Sequence, residues 1–406
     1  MFQKKKLSDI AIIYNGNSIN KTVKQQNYMN DVPGWNYIGT KDVGFDGTVT
    51  YKTGVIIPFT ETKFRTAPAG TVFVCSEGGS AGKKTALIQE EVCFGNKLYA
   101  IVNRDNFFFP KYVYYYTRYE EFLKQFKLMA STLMGGITAK NFGNIQLPLP
   151  EISEQQRIVS RIEELFSSLD NAVETLQKTK EQLAVYRQTV LKEAFEGKYT
   201  PDVSMIEITM DEIADGKEGL RRGPFGSAIK KAFFVESGYK VYEQGNAIND
   251  DCKRGHYYIS EEKYNELSSF QLKPGDFIVS CSGTIGKIAQ LPADAEAGVI
   301  NQALMRIRLK PEMIDPYYFM LQFRSEGFQR KIVSRGSGMG NLAGIKEFKN
   351  ATMFVPENRE QQEYIVSEIE SRMSVCDSIE QTVNTALLQA EAMRQSILKE
   401  AFEGRL

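Results

Sequence analysis

One long segment occurs twice in the chain. The first copy runs from Glu154 to Lys198 and the second from Glu360 to Arg405. Each copy begins with Glu-Gln-Gln shortly after a proline and ends with the same seven residues, Leu-Lys-Glu-Ala-Phe-Glu-Gly, and one residue is inserted between beginning and end in the second copy. A shared heptapeptide in two otherwise diverged segments indicates an internal duplication, which has to be recognised before any local pattern is interpreted.

Both copies have the hydrophobic period of a long helix. Apolar side chains recur alternately four and three positions apart, as in the a/d seam of a coiled coil, and no Pro or Gly interrupts them. A helix of ~40 residues is ~60 Å long and cannot bury its seam inside one small domain, so we expect the two copies to pack on each other, antiparallel. The seam positions are Ile158, Ile162, Leu165, Leu169, Ala172, Leu176, Thr179, Leu183, Tyr186 and Val190, then Ile365, Ile369, Arg372, Cys376, Ile379, Val383, Ala386, Ala390, Met393 and Ile397.

The segments before the two helices also match each other. Short β-rich runs bounded by Gly, Pro, Asn and Asp predict strands in both, and Gly79-Ser-Ala-Gly-Lys83 in the first corresponds to Gly283-Thr-Ile-Gly-Lys287 in the second. A helix is predicted from Pro110 through Lys127. The fold class is therefore α+β with an internal pseudo-twofold repeat. The predicted regions are a first domain at 1–150, a first long helix at 151–199, a second domain at 200–356 and a second long helix at 357–406.

Composition limits the classes of protein. The 406 residues carry no net charge, yet residues 1–150 contain 18 Lys and Arg against 11 Asp and Glu, a local charge of +7. A protein that coats nucleic acid without discrimination is usually basic throughout, which this chain is not. The five scattered cysteines predict reduced thiols of a cytoplasmic protein, neither a disulfide framework nor a zinc site. No apolar run is long enough for a transmembrane helix.

Three possible catalytic signals fail on inspection. The turn at 78–84 departs from a phosphate-binding loop at two positions, because Glu77 and Lys84 stand where Gly and Ser or Thr belong, and the second copy fails at the same places. Asp315-Pro is better explained as a helix start than as part of a methyltransferase motif. His256 is the only histidine, and one histidine cannot supply a metal cluster. No catalytic residue and no metal ligand are predicted.

Cationic side chains in turn-like sequence are the remaining polar signal. Such groups suit phosphate contacts, while Arg, Asn and Gln can also read base edges. Any one lysine of this kind is more often a solvated surface charge, so the signal is the recurrence of these loops in two equivalent domains. The predicted DNA-binding residues are Lys63, Arg65, Lys83, Lys84 and Lys140 in the first domain, and Arg221, Arg222, Lys253, Arg254, Lys287 and Arg335 in the second.

Taken in order, these motifs resemble the specificity subunits of type I restriction–modification systems. The resemblance covers essentially the whole chain and rests on Arg222-Gly-Pro-Phe-Gly-Ser-Ala228, the paired Gly-Lys turns, the Glu-Gln-Gln helix starts and the duplicated helix ends. The first domain departs from the pattern at Tyr14-Asn-Gly-Asn-Ser18. The resemblance implies two target-recognition domains that each read one half of a bipartite DNA site, with the helices as the spacer between them.

The resemblance also implies partners. The subunit would be non-catalytic and would bind two methyltransferase subunits and, through them, restriction subunits, with S-adenosylmethionine, ATP and Mg²⁺ only on those partners. The duplicated ends place Phe195 and Phe402 at equivalent positions, which predicts a partner-binding surface at each. The rival hypothesis is a coiled-coil scaffold without a DNA partner. The near-zero net charge favours that hypothesis slightly, and the duplicated basic loops count against it.

Overall fold

A computed structural model describes residues 2–29, 32–130, 136–200, 202–225, 227–333 and 342–406. The chain forms two compact units. Unit 1 comprises Met1–Gln177 and Asn384–Leu406, and unit 2 comprises Lys178–Val383. The predicted α+β class and internal repeat are confirmed. The predicted regions at 151–199 and 357–406 treat each helix as a separate body, whereas each compact unit takes part of both helices.

Unit 1 contains ten strands and five short helices within its described residues, besides a 3₁₀ turn at Thr40–Asp42. The strands are β1 (Lys4–Lys6), β2 (Ala11–Asn15), β3 (Gly34–Ile38), β4 (Ile56–Pro58), β5 (Thr66–Ala67), β6 (Val72–Cys75), β7 (Thr85–Leu87), β8 (Val92–Phe94), β9 (Leu98–Asn103) and β10 (Gln146–Pro148). The helices are α1 (Leu7–Ile10), α2 (Lys21–Asn27), α3 (Pro110–Thr117), α4 (Glu120–Met129) and α5 (Ala139–Gly143).

Two four-stranded sheets form the β part of unit 1. One has the order β2-β9-β6-β7 and is antiparallel, with Val72 opposite Ile101. The other has the order β4-β3-β8-β5, in which β3 and β8 run parallel. Strands β6 and β9 consist of buried side chains through most of their length, as expected where both faces of a sheet are covered. A separate pair, β1 with β10, closes the unit where the long helix begins.

Unit 2 repeats this plan. Its strands are β11 (Met205–Thr209), β12 (Leu220–Arg222), β13 (Phe234–Val235), β14 (Tyr239–Tyr242), β15 (Tyr258–Ile259), β16 (Gln271–Leu272), β17 (Phe277–Ser280), β18 (Ile288–Gln290), β19 (Gly298–Ile300), β20 (Leu304–Ile307) and β21 (Thr352–Pro356). The short helices are α7 (Met210–Ile213), α8 (Gln244–Asn249), α9 (Glu261–Glu266), α10 (Pro316–Arg324), α11 (Glu326–Ile332) and α12 (Ile345–Lys349), with 3₁₀ turns at Lys231–Phe233 and Ser268–Phe270.

The sheets of unit 2 have the same strand order as those of unit 1, except that the second sheet, β13-β15-β14-β19-β16, has one additional strand, β13. The order β12-β20-β17-β18 matches β2-β9-β6-β7, and β14 pairs with β19 in parallel as β3 pairs with β8. The pair β11 with β21 matches β1 with β10. The two halves of the chain therefore share topology as well as sequence motifs.

The helix predicted from Pro110 through Lys127 is two helices. Helix α3 ends at Thr117 and α4 begins at Glu120, because Tyr119 has extended backbone angles of φ −79° and ψ 138°. The break turns the Tyr119 ring onto Phe402, where the two rings stack with their centroids 5.8 Å apart. A tertiary contact thus interrupts a sequence that would continue as a helix.

The duplicated segments form the two long helices α6 (Ile152–Phe195) and α13 (Arg359–Phe402), each 44 residues long. Their equal length places the extra residue of the second copy before the helix rather than inside it. Ile162, Leu183 and Val383 on the predicted seams are buried. Four other predicted seam positions are exposed: Ala172 and Tyr186 on α6, and Ile379 and Met393 on α13. A helix has 3.6 residues per turn, so a seam drawn at 3.5 drifts around its surface over such a length.

The two helices run antiparallel within each unit. In unit 1, Arg157 of α6 donates to the carbonyl oxygen of Leu406 at 2.8 Å, and Asp170 pairs with Arg394 of α13. In unit 2, Arg187 pairs with Asp377 at 2.6 Å and with Glu380 at 3.0 Å. Later residues of α6 thus meet earlier residues of α13.

Arg372, the polar break in the second seam, is accommodated by its surroundings in unit 2. Its guanidinium pairs with Glu368 one turn earlier on α13 and lies 4.1 Å from the centroid of the Tyr199 ring. A guanidinium can cover an aromatic face while its charge stays hydrated. The helix packing therefore tolerates this position without burying a charge.

A buried glutamine attaches each long helix to the domain that precedes it. Gln155 of α6 accepts from the Phe109 backbone N–H at 2.8 Å and donates to the Pro150 carbonyl at 2.8 Å. Gln362 of α13 accepts from the Asp315 N–H at 2.8 Å and donates to the Pro356 carbonyl at 3.1 Å. These contacts explain why glutamine recurs at both helix starts, because its amide offers both a donor and an acceptor to these backbone groups.

Candidate nucleic-acid interface

A glycine at the end of one strand fixes the start of the basic loop in each unit. Gly16 follows β2, and a Cβ there would lie 1.9 Å from the Phe94 carbonyl oxygen. Gly223 follows β12, and a Cβ there would lie 1.8 Å from the Asn301 carbonyl oxygen. The backbones pass so close that no side chain fits. The matching glycines also align Asn15 with Arg222.

Arg222 and Asn15 therefore occupy equivalent positions in two units with different sequences. The Arg222 guanidinium lies beside the Cys281 thiol and opposes the rise that burial gives to the pKa of that thiol. In unit 1 the Arg65 guanidinium reaches the same place from another loop and donates to the carbonyl and side-chain oxygens of Asn15 at 3.0 and 3.1 Å. Each unit thus has an arginine at this strand end, and sequence reasoning missed Asn15, which holds the one in unit 1.

Lys83 and Lys287 lie on matched, exposed turns, as their sequences predicted. The preceding glycines, Gly82 and Gly286, have φ of +68° and +71°, a conformation that favours glycine. Each turn rests on a helix, since a Cβ on Gly82 would meet the Phe126 ring at 2.9 Å. The turns therefore hold both lysines outward on a packed base.

The neighbouring Lys84 has a different environment. Its ammonium donates to the Thr40 carbonyl oxygen at 3.0 Å and lies 5.0 Å from the centroid of the Phe45 ring. These contacts hold the ammonium within the fold of unit 1. Lys63 is exposed and pairs with Glu61 at 2.9 Å, which raises the pKa of the Lys63 ammonium, and Lys140 is exposed on α5.

Lys253 and Arg254 lie on a loop of unit 2 whose backbone carbonyl groups accept hydrogen bonds from buried side chains. The buried Lys240 ammonium donates to the Lys253 carbonyl oxygen at 3.0 Å and pairs with Glu296 at 2.8 Å. The Asn246 side chain donates to the Arg254 carbonyl oxygen at 2.7 Å. With its carbonyl groups bound inward, the loop leaves both cationic side chains exposed, and Lys253 also pairs with Asp294 at 2.9 Å.

The remaining two predicted residues of unit 2 differ in placement. Arg221 is half-buried, with its guanidinium 5.1 Å from the Phe270 ring and its NH1 3.7 Å from Glu218. Arg335 lies outside the described residues. Phe225, two residues after Gly223, is 92 % exposed beside the buried Pro224, so an apolar ring is presented to solvent here. The motif around Phe225 was visible in the sequence, but the exposure of its ring was not.

Phe195 and Phe402 are not exposed tips of the helices. Each ring lies in the hydrophobic core of its own unit, with 6 % and 5 % of its surface exposed. Phe195 contacts Tyr318 at a centroid distance of 5.4 Å, and Phe402 contacts Tyr112 at 5.1 Å. The equivalence predicted for the two rings is present, but an exposed contact surface on both is not, because the ends of α6 and α13 are buried beneath the domains.

A family model for the type I restriction modification DNA specificity domain matches residues 1–184 and 226–389. The chain belongs to this family. Two matches in one chain correspond to the two units, which agrees with the internal repeat of the fold.

Curated relatives carry the same family name. The chain is 24 % identical to the specificity subunit of type I restriction enzyme EcoBI from Escherichia coli over 68 % of the chain and 62 % of that subunit. It is 24 % identical to the EcoKI specificity subunit from Escherichia coli strain K12 over 84 % of the chain and 75 % of that subunit. The first of these alignments spans less than two thirds of the relative's length.

Solved structures share the fold over the whole chain. The HsdS subunit from Thermoanaerobacter tengcongensis matches with a TM-score of 0.59 at 16 % identity, covering 100 % of this chain and 97 % of that one. A chain from a study of complex assembly and conformational transition of the type I R-M system matches with a TM-score of 0.72 at 16 % identity, covering 100 % and 98 %. At this identity the likeness concerns the fold.

No group of three or more His, Cys, Asp or Glu side chains is arranged to hold a metal ion in the part of the chain that the structure describes. Among those same residues, no helix is long and apolar enough to cross a membrane.

Proposed function

We propose that the chain recognises DNA sequence as the specificity subunit of a type I restriction–modification complex, with each unit reading one half of a bipartite target. The observation that carries the proposal is the same interface built twice. An arginine at a glycine-fixed strand end and a lysine on a matched turn recur in two units of one chain. A scaffold without a DNA partner has no need for paired basic loops.

The residues divide into two roles. Lys83 and Lys287 carry compact charges on exposed turns, which suits contacts with phosphate and gives no sequence information. Arg65 and Arg222 are planar groups held at strand ends, and a held guanidinium suits the bidentate recognition of guanine. Lys63, Lys140, Lys253 and Arg254 add positive charge around them.

We further propose that α6 and α13 act as the spacer between the half-sites. Each helix has 44 residues, which corresponds to about 66 Å at 1.5 Å per residue. Ion pairs such as Arg187 with Asp377 fix the register of one helix on the other within a unit. Two helices packed on each other keep a fixed length, whereas a single exposed helix of this composition would bend.

The partners follow from the same proposal. Two methyltransferase subunits would bind the chain, and restriction subunits would join through the complex. The chemistry of methyl transfer and cleavage, with S-adenosylmethionine, ATP and Mg²⁺, would belong to those partners, and this chain would be non-catalytic.

Binding of duplex DNA at several salt concentrations tests the proposal. The assembled complex is measured by fluorescence anisotropy with a duplex that contains its target and with a scrambled duplex. The proposal predicts tight binding of the target, a steep salt dependence from phosphate contacts, and a loss of at least 10³-fold on the scrambled duplex. Equal affinity for both duplexes would contradict it.

A further inference from the structure

The end of α6 in unit 2 borders a groove that reaches the Phe195 ring, whereas the groove of about 720 Å³ beside the end of α13 in unit 1 is lined by Tyr119 and Gln395 and not by Phe402. The groove in unit 2 has a volume of about 770 Å³ and is lined by Val185, Phe195, Gln322, Phe328, Thr352 and Phe354, among others. Phe195 forms part of its base. The equivalent ring in unit 1, Phe402, is covered instead by two tyrosines.

Tyr116 and Tyr119 are the residues that cover Phe402. The Tyr116 ring contacts Phe402 edge-on at a centroid distance of 5.1 Å, and the Tyr119 ring stacks on it at 5.8 Å. Gln322 and Ser325 take their places in unit 2. This alignment of the two units follows from a neighbouring pair of tyrosines, Tyr112 and Tyr318. Tyr112 donates to the Pro148 carbonyl oxygen at 2.9 Å, and Tyr318 donates to the equivalent carbonyl oxygen, that of Phe354, at 2.8 Å.

The polar surroundings of Tyr116 are also reproduced in unit 2. The Tyr116 hydroxyl donates to the Gln146 carbonyl oxygen at 2.6 Å, and Gln125 donates to the same carbonyl at 2.9 Å. In unit 2, Thr352 occupies the position of Gln146, and the Lys331 ammonium donates to the Thr352 carbonyl oxygen at 2.9 Å. A carbonyl oxygen can accept two hydrogen bonds. The Thr352 carbonyl oxygen can therefore still accept the bond that Tyr116 makes to Gln146 in unit 1.

A second observation marks the groove as incomplete. Gln322 is 4 % exposed, and its side-chain oxygen has no hydrogen-bond partner among the described residues. Leaving a buried acceptor unpaired costs free energy, and the described residues around the groove offer this oxygen no donor. Meanwhile Val185 and Phe354 expose apolar surface at the rim of the groove.

We propose that this groove receives a tyrosine side chain from the methyltransferase subunit, in the place that Tyr116 fills within unit 1. The ring packs on Phe195 and the hydroxyl donates to the Thr352 carbonyl oxygen. The identity of that partner rests on the function proposed above, whereas the chemistry of the groove rests on the comparison of the two units alone. At this position unit 1 supplies its own tyrosines, and unit 2 takes one from outside.

The chemistry of the groove is tested on the full chain with p-cresol as the probe, using ligand-observed NMR. We expect saturable binding, and about three- to tenfold weaker binding of toluene, which has the ring without the hydroxyl. Gln322→Tyr refills the groove as in unit 1 and abolishes the binding of p-cresol. No saturable binding by the unaltered chain, or unchanged binding by Gln322→Tyr, overturns the assignment.

The identity of the partner is tested separately by light scattering of the chain mixed with the methyltransferase subunit. We expect Gln322→Tyr to weaken the association by at least tenfold, and Ser378→Tyr, which adds a tyrosine at an exposed position of α13, to leave it unchanged. The methyltransferase is the wrong occupant if p-cresol binds the unaltered chain but the Gln322→Tyr variant still assembles normally with the methyltransferase. It is also the wrong occupant if Gln322→Tyr abolishes only the self-association of the chain. Because neither measurement uses DNA, failure of the DNA-recognition proposal is seen independently.

Discussion

The two buried glutamines at the starts of α6 and α13 show how single residues connect domain to helix. Gln155 is fully buried, and its side chain satisfies the Phe109 N–H and the Pro150 carbonyl. Gln155→Ala leaves both groups unpaired and is expected to lower the free energy of unfolding by roughly 2–3 kcal/mol. The check is urea unfolding followed by circular dichroism.

The adjacent Gln156 provides the matched control for this change. Its side chain is exposed on the same turn of α6, so Gln156→Ala is expected to shift the unfolding free energy by about 0.5 kcal/mol or less. Equal effects of the two substitutions would mean that the buried hydrogen bonds do not attach the helix to the domain.

The matched lysines allow phosphate contacts to be tested residue by residue. Loss of Lys287 is expected to weaken binding to target and scrambled DNA alike and to reduce the salt slope by about one. Lys287→Ala is measured by anisotropy over a range of salt concentrations in the assembled complex. Lys217→Ala, an exposed lysine on a loop of the same unit, serves as the control. A selective loss on the target alone would assign Lys287 to base reading.

Glu296 gives unit 2 a defined acid sensitivity. The hydrogen bond from Lys240 lowers the pKa of the Glu296 carboxyl below its ordinary value of 4.5. The folded state therefore binds this proton less readily than the unfolded chain, so the stabilisation is present above 4.5 and is lost as pH falls through the lower folded value. Glu296→Gln should be less stable near neutral pH and lose less stability on acidification.

Thermal unfolding between pH 3 and 7 measures this difference. Glu261→Gln, on α9 of the same unit and exposed, is the control for the loss of one negative charge. An identical pH profile for Glu296→Gln and the unaltered chain would show that the Lys240–Glu296 pair contributes no stability.

At the scale of elements, the long helices depend on their buried seam. Leu183 of α6 and Val383 of α13 are both buried in unit 2. Leu183→Asp places a charge there and is expected to cost about 3 kcal/mol or more, while Gln182→Asp on the exposed face changes little. Chemical unfolding monitored by circular dichroism measures the free energy of unfolding of both variants. Comparable losses of unfolding free energy would show that the helices do not pack along this seam.

Sequence predicted the elements well where a period or a repeat was present. The helices were found from their apolar spacing, and the two domains from matched motifs such as the Gly-Lys turns. The break at Tyr119 was missed because the Phe402 ring that it packs on lies far away along the chain. Ala172 and Tyr186 were wrongly placed on the seam because a strict heptad ignores the drift of a straight helix.

The candidate site was less predictable than the fold. Residue type identified Arg65 and Arg222, but no local pattern shows that Arg65 is held by Asn15 fifty residues earlier. The engagement of Lys84 with Thr40 is likewise a contact between distant parts of the chain. A partner-binding surface was predicted at Phe195 and at Phe402 from their equivalent positions at the helix ends, whereas folding buries both rings. Side-chain roles of this kind depend on tertiary contacts between residues that are distant in the sequence, and no local sequence pattern indicates them.

At the scale of the whole molecule, the spacer proposal makes a prediction about length. Adding one heptad to each helix, after Gln177 in α6 and after Val383 in α13, preserves the seam and lengthens both helices by about 10 Å. The preferred gap between half-sites should then grow by about three base pairs at 3.4 Å each. Adding the heptad to α6 alone breaks the pairing and should destabilise the chain.

The preferred gap is read by selecting target duplexes from a library with randomised spacer length. An unchanged spacer in a double-insertion variant that folds normally would contradict the role of the helices as the spacer.

The central claim, that each unit reads its own half-site, is tested most directly by a binding panel with the assembled complex. Three duplexes are compared: the intact target, one with the first half-site scrambled and one with the second scrambled. Arg222→Ala is expected to remove about 1–3 kcal/mol of discrimination at one half-site and leave the other unaffected, while Arg65→Ala does the reverse. If either substitution relaxed discrimination at both half-sites equally, the assignment of one unit to one half-site would be contradicted.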